Sequence, residues 1–309
     1  MGCYMLWQFQ RVLKLLTQPD LKRRDAIKNL TLATSALAIT GTSCNPQKSQ
    51  EEKFSLKGKV KHSACRWCYS KMPLEQLAEY AQELGMESIE LLNPDEWDVM
   101  LKRGLTCAIS NGSELGITKG FNDPQYHAQL LADFKAIIPR AADKGIGQII
   151  CFSGNRNGLS DEEGLENCAV GLEPIIKMAE EYDVRIVMEL LNSKVNHKDY
   201  QCDKTPWGVE LVEKIGSPNF KLLYDIYHMQ IMEGDVIATI KKYQDYICHY
   251  HTGGVPGRNE IDETQELYYP AIIKAIVDTG YKGFLGQEFI PTWDDKMKAL
   301  KHGVMTCDV

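Results

Sequence analysis

From residue 60 onward, short continuous apolar runs alternate with longer stretches in which apolar residues recur every three or four positions. The first pattern predicts strands buried on both faces, and the second predicts amphipathic helices. Strands are expected at 62–69, 88–92, 106–110, 148–152, 185–190, 220–224, 247–251 and 283–288. The helices that follow them are expected at 73–84, 95–103, 124–144, 161–182, 207–215, 234–243, 269–279 and 292–303. Gly85, Gly145, Gly216 and Gly280 stand just before a strand, where a left-handed residue commonly stops a helix. Eight such repeats in about 250 residues predict an α/β fold, a single (β/α)8 TIM barrel spanning 60–309. A doubly wound open sheet would have fewer strands and a glycine-rich first turn. No GxGxxG or phosphate-loop pattern follows the first run.

The first 44 residues follow another pattern. Lys22, Arg23 and Arg24 precede an apolar stretch over 30–39, too short for a bilayer span but right for the core of a signal peptide. Gly41, Thr42 and Ser43 then lead into Cys44. The run 23–28 resembles a twin-arginine export signal, and the residues before Cys44 resemble a lipoprotein cleavage site. These features predict an exported protein, periplasmic or held at the membrane by a lipid anchor at Cys44. If the leader is inactive, the protein stays cytoplasmic and 1–44 reduces to an amphipathic helix. Residues 45–59 are polar and read as a linker.

Composition narrows the function. Hydrophobic residues at 44% and charged residues at 25% exclude a disordered chain, and no run of 18 apolar residues supports a polytopic membrane protein. The formal net charge is −7. Without 1–44 there are 29 Lys and Arg against 40 Asp and Glu, or about −11. An acidic surface argues against nucleic acid as a partner, because phosphates need a positive one. The expected partner is a small molecule, with a second copy of the chain as the other candidate. Of the ten cysteines, only Cys65 and Cys68 form a CxxC pair. A zinc site would need a second pair, and a redox site would need a helix N-terminus directly after a strand. Buried or rim cysteines are the expectation, and a disulfide between these two would be geometrically tight.

Active sites of such barrels form at the C-terminal strand ends. Four consecutive runs end in Glu189, Asp225, His251 and Glu288. Charges beside an apolar core are costly unless paired or metal-bound, so four in succession predict a metal site. Three oxygen donors and one nitrogen suit Mn²⁺ or Mg²⁺ better than a structural zinc. Of His249 and His251, one is expected to face the lumen; His251, nearer the loop, is taken as the ligand.

The segments Tyr224-Asp225-Ile226-Tyr227-His228-Met229-Gln230 and Gly253-Gly254-Val255-Pro256-Gly257-Arg258-Asn259-Glu260 resemble signatures of the hydroxypyruvate isomerase family. So do Glu189-Leu190-Leu191-Asn192 and Gly286-Gln287-Glu288. The resemblance covers about 60–300, within the wider xylose-isomerase-like barrels. It implies a divalent metal on Glu189, Asp225, His251 and Glu288, with Glu189 and Glu288 as the acid/base pair. It also implies isomerisation of a sugar or hydroxy-keto acid, most like hydroxypyruvate to 2-hydroxy-3-oxopropanoate. The metal would polarise the carbonyl and stabilise a developing enediolate while the two glutamates move the proton. Arg258 would bind a substrate carboxylate, or else pair with Glu260 in its loop. His228 would hydrogen-bond a substrate oxygen, or else support Asp225. Asn192 and Trp67 are further substrate-binding candidates; a core role for Trp67 is the alternative.

A ketose 3-epimerase or an inosose-type dehydratase would use the same residues. An exported sugar-binding lipoprotein without catalysis would be expected to lack one of the two glutamates. An apurinic endonuclease of this fold would need three zinc ions, more than the seven histidines present and a basic face.

Overall fold

The computed structural model describes residues 55–309. The expected leader over 1–44, its lipid attachment at Cys44 and residues 45–54 of the expected linker lie outside the described residues. The remaining linker residues, 55–59, run against the C-terminus. Lys57 N donates to Asp308 Oδ2 at 2.9 Å, and Lys57 Nζ donates to the Asp308 carbonyl at 2.8 Å.

Seven strands are continuous: β1 Lys61–Cys65, β2 Ser88–Glu90, β3 Gln148–Cys151, β4 Arg185–Leu190, β5 Phe220–Asp225, β6 Ile247–Thr252 and β7 Phe284–Gln287. All pair in parallel, in the order β2-β1-β7-β6-β5-β4-β3. The third of the eight expected strands, over 106–110, is not continuous. It joins its neighbours by single bridges, Ser88 to Thr106, Leu92 to Ser110 and Ser110 to Ile149. The ladder breaks where Ala108 N donates to the Ser88 side chain at 2.8 Å. Leu91 N still reaches the Ile109 carbonyl at 2.8 Å, and Ile150 N reaches that of Ser110 at 2.9 Å. This irregular segment therefore lies between β2 and β3 and completes the TIM barrel.

Nine α-helices stand among the described residues: α1 Leu74–Glu83, α2 Trp97–Leu101, α3 His127–Asp143, α4 Asp161–Glu181, α5 Thr205–Ile215, α6 Ile226–Met232, α7 Val236–Tyr243, α8 Tyr269–Asp278 and α9 Lys296–Cys307. The start of α4 is fixed by a capping box, in which Ser160 and Glu163 satisfy each other's backbone amides. The sequence pattern predicted a helix over 234–243, where α7 stands, and none over 226–232, where α6 stands. The helix α6 exists because Asp225, the last residue of β5, is also its N-cap and accepts from His228 N at 3.0 Å.

Two apolar clusters form the core. The larger packs the helices onto the outside of the sheet. The smaller fills the barrel interior with Cys65, Leu91, Ile109, Ile150, Val187 and Leu223. Side chains on a strand alternate between faces. Val187 and Leu223 point inward, so Glu189 and Asp225, two residues further along, rise above that apolar floor on the same face.

Candidate active site and metal centre

Glu189, Asp225, His251 and Glu288 converge at the C-terminal ends of β4 to β7, with one ligand atom of each lying within 4.8 Å of the others. His251 Nδ1 lies 2.7 Å from Glu288 Oε2 and 3.3 Å from Glu189 Oε1. All four side chains are buried, and Glu189 Oε1 has no hydrogen-bond partner. Buried charges so close together need a compensating cation.

Arg258 supplies part of that compensation. Its Nη2 donates to Asp225 Oδ2 at 3.1 Å and to Glu288 Oε2 at 2.5 Å. The guanidinium lies between two aromatic faces, 5.1 Å from the centre of the Trp67 ring and 5.5 Å from that of Tyr227. Arg258 does not pair with Glu260. That carboxylate instead accepts from Thr292 N at 2.6 Å and from Trp293 N at 2.9 Å, tying its loop to the segment after β7.

The environment pulls the three carboxyls apart. Burial pushes Asp225 up to about 8, against the opposing pull of Arg258. Burial and the nearby Glu288 raise Glu189. Glu288 is held well below the usual carboxylate range, because Arg258 and His251 outweigh its burial. His251 is held well above its ordinary value, because Glu288 and its other neighbours outweigh burial. One imidazole and one guanidinium face three carboxylates here. That donor set, with an orphaned buried oxygen on Glu189, fits a divalent cation.

A cavity of about 380 Å³ opens onto this cluster, lined by Trp67, Phe152, Glu189, His197, Arg258 and Glu288 among others. Its size suits a small molecule. Trp67 is 39% exposed and its Nε1 donates to Glu288 Oε1 at 2.7 Å, so it walls the cavity rather than the core.

His228 and Asn192 sit beside the cavity and do not line it. Asn192 N donates to His228 Nδ1 at 3.1 Å, which leaves the ring proton on Nε2. That Nε2 lies 3.7 Å from Asp225 Oδ2 and has no hydrogen-bond partner. Burial keeps the ring neutral, well below its ordinary value, and Arg258 adds to the effect. The Asn192 side chain is spent locally: Oδ1 accepts from Val195 N at 3.0 Å and Asn196 N at 2.9 Å, and Nδ2 reaches Asn196 Oδ1 at 2.8 Å. Asn192 therefore orients His228, and its amide is not offered to a substrate.

Two further residues belong to the site. His197, in the loop after β4, lines the cavity with its ring centre 5.2 Å from that of His228. Glu90, at the end of β2, is fully buried, and its Oε1 accepts from His249 Nε2 at 3.0 Å and His251 Nε2 at 2.8 Å. Burial opposes its charge, yet the two histidines hold its carboxyl well below the usual range. A carboxylate closing an apolar strand was the signal for Glu90. The expectation that only one of His249 and His251 faces the lumen is corrected here. Residues i and i+2 of a strand share a face, and both rings point inward.

Cys65 and Cys68 are free thiols, and burial raises both well above the ordinary range. That does not describe a reactive redox pair.

Comparison with known proteins agrees with this architecture. The family model for the xylose isomerase-like TIM barrel matches residues 63–304. The 2-oxo-tetronate isomerase of Cupriavidus necator is 33% identical over 233 residues, covering 71% of this chain and 87% of the relative. The hydroxypyruvate isomerase of Escherichia coli K12 is 31% identical over 230 residues, covering 69% and 86%. The crystal structure of an AP endonuclease of family 2 from Brucella melitensis superposes with a TM-score of 0.71 at 22% identity, covering 78% of this chain and 96% of that one. At that identity the likeness speaks to the fold alone. The chain belongs to the xylose isomerase-like TIM barrel family and, within it, to the hydroxypyruvate isomerase group of aldose–ketose-type isomerases.

Proposed function

We propose that this protein is a divalent-metal-dependent isomerase of a short hydroxy-keto acid. The reaction most like it converts hydroxypyruvate to 2-hydroxy-3-oxopropanoate. The observation that carries this reading is that Glu189, Glu288 and Arg258 line one small cavity at the barrel mouth. Two carboxylates on one cavity wall allow a proton to be taken from one carbon and returned to its neighbour. Glu189, Asp225, His251 and Glu288 would hold Mn²⁺ or Mg²⁺, which supplies Lewis-acid polarisation of the carbonyl. Arg258 meets the substrate carboxylate, since its Nε has no partner within the protein. Trp67 walls the cavity and orients Glu288 through the indole N–H. Relatives named for hydroxypyruvate and 2-oxo-tetronate isomerisation support this substrate class.

In the same proposal, the segment ahead of Cys44 acts as an export leader, cleaved so that a lipidated Cys44 begins the mature chain. Mass spectrometry of the N-terminus from cells tests this, and an unprocessed chain would overturn it.

The reaction is tested by NMR in D₂O. The protein is incubated with Mn²⁺ or Mg²⁺ and with hydroxypyruvate or a panel of neutral ketoses. Deuterium entry with conversion of hydroxypyruvate is expected. Exchange on a ketose alone would move the assignment to a sugar isomerase or epimerase. Absence of exchange on every substrate would overturn proton transfer as the reaction.

A further inference from the structure

Glu90 comes from β2, and its histidine partners come from β6, with β1 and β7 between them in the sheet. Its carboxylate therefore crosses the barrel interior beneath two strands. Both intervening strands leave room for it. On β1 the residue in register with Glu90 is Cys65, whose thiol donates to Glu90 Oε1 at 3.4 Å. On β7 the residue in register with His251 is Gly286. A Cβ at Gly286 would fall 2.1 Å from Glu90 Oε1 and 2.7 Å from His251 Cδ2.

Glu90 Oε1 thus accepts from Cys65, His249 and His251 at one point. A neutral imidazole that donates from Nε2 presents a lone pair at Nδ1. The Nδ1 of His251 is the atom turned toward Glu288 and Glu189. We infer that Glu90 is a positioning residue that fixes the Nε2–H form of His251 and aims its Nδ1 at a divalent cation, with His249 holding Glu90 in place. This inference rests on the metal site of the proposed function. Carboxylates behind a metal-binding histidine set its tautomer and orientation, and their loss typically weakens metal binding by about 10–100-fold.

The test uses the full chain and does not depend on turnover. Mn²⁺ affinity is measured by titration calorimetry for the wild type and for Glu90→Gln and Glu90→Asp. Ring ¹⁵N NMR of the Mg²⁺-loaded wild type then locates the His251 proton. Glu90→Gln is expected to weaken Mn²⁺ binding by about 10–100-fold. Glu90→Asp, which keeps the charge but withdraws it by one methylene, is expected to weaken it too. The NMR spectrum is expected to show the proton on Nε2 and none on Nδ1. Variant affinities within about twofold of wild type would overturn the role of Glu90 while leaving the metal site standing. A wild type that binds neither ion would overturn the metal site and this inference together. A proton on Nδ1 overturns the inference even if both variants fail to fold.

Discussion

Trp67 and Glu288 lie 221 residues apart in the chain, yet the indole Nε1 donates to Glu288 Oε1 at 2.7 Å. The bond joins the turn after β1 to the residue after β7 and fixes one oxygen of a proposed acid/base group. Trp67→Phe keeps a ring beneath Arg258 but removes the donor. A hydrogen bond to a charged group contributes about 1.5–3 kcal/mol. kcat/KM is expected to fall about tenfold or more, with little change in melting temperature. Unchanged kinetics would mean that the indole serves only as a wall.

Glu288→Gln and Glu189→Gln keep the shape of each side chain and remove its ability to accept and return a proton. General acid–base groups contribute roughly 10²–10⁴-fold, so each variant is expected to lose at least that factor in kcat. Circular dichroism and melting should show both folded. Near-wild-type isomerisation by Glu288→Gln would sink its role as acid or base.

His62, on the outer face of β1, predicts an acid-sensitive fold. Both ring nitrogens are buried without a partner, and burial lowers its pKa from 6.5 to about 4, partly opposed by Asp308. The folded ring therefore stays neutral where the unfolded one binds a proton. Its contribution is intact above about pH 6.5 and is lost as the pH falls toward 4, on the order of 3 kcal/mol in all. Denaturant midpoints measured between pH 7 and 4 should fall steadily. His62→Leu should flatten that slope, and an unchanged slope would refute the assignment.

The sequence pattern located Glu189, Asp225, His251 and Glu288 because each closes an apolar run that must be a buried strand. Burial on both faces leaves the strand end as the one place for a charge, and barrel topology then gathers those ends. Glu90 obeys the same rule but closes a three-residue strand, and its partners lie 159 and 161 residues away. Nothing local signals that reach. The inward turn of both His249 and His251 was legible from strand periodicity alone. The third expected strand looked regular because Thr106–Ser110 is apolar at its centre, whereas its ladder is broken by the Ser88 hydroxyl, a side chain from another strand. Asn192 read as a ligand-binding candidate because it stands in the segment Glu189-Leu190-Leu191-Asn192, which resembles the family signature. Its amide caps a local turn instead, a use that depends on loop geometry rather than residue type.

Gly286→Ala tests how tightly the site is packed. The added methyl would meet the Glu90 carboxylate, the far end of a side chain, but that end is pinned by three donors and cannot swing away freely. Overpacking of this kind costs about 1–3 kcal/mol. The melting temperature should drop by several degrees, and Mn²⁺ affinity should fall with it as His251 is displaced. A variant with wild-type stability and affinity would show that Glu90 relaxes without cost.

Arg258 has two duties in the proposed reaction, and a KM-against-kcat comparison separates them. Its Nη2 already serves Asp225 and Glu288, while its Nε has no partner within the protein. Arg258→Ala should therefore lower kcat for every substrate, because two buried carboxylates lose their cation. It should also raise KM, and for carboxylate substrates by about tenfold more than for neutral ketoses, since a charge-assisted bond contributes roughly 1.5–3 kcal/mol. Arg258→Lys keeps the charge without the planar fork, so it should recover part of kcat and little of the carboxylate KM. Steady-state kinetics on hydroxypyruvate and on a neutral ketose decide the matter. An equal rise in KM for both would confine Arg258 to holding Asp225 and Glu288 in place, and the carboxylate would have to be bound elsewhere in the cavity.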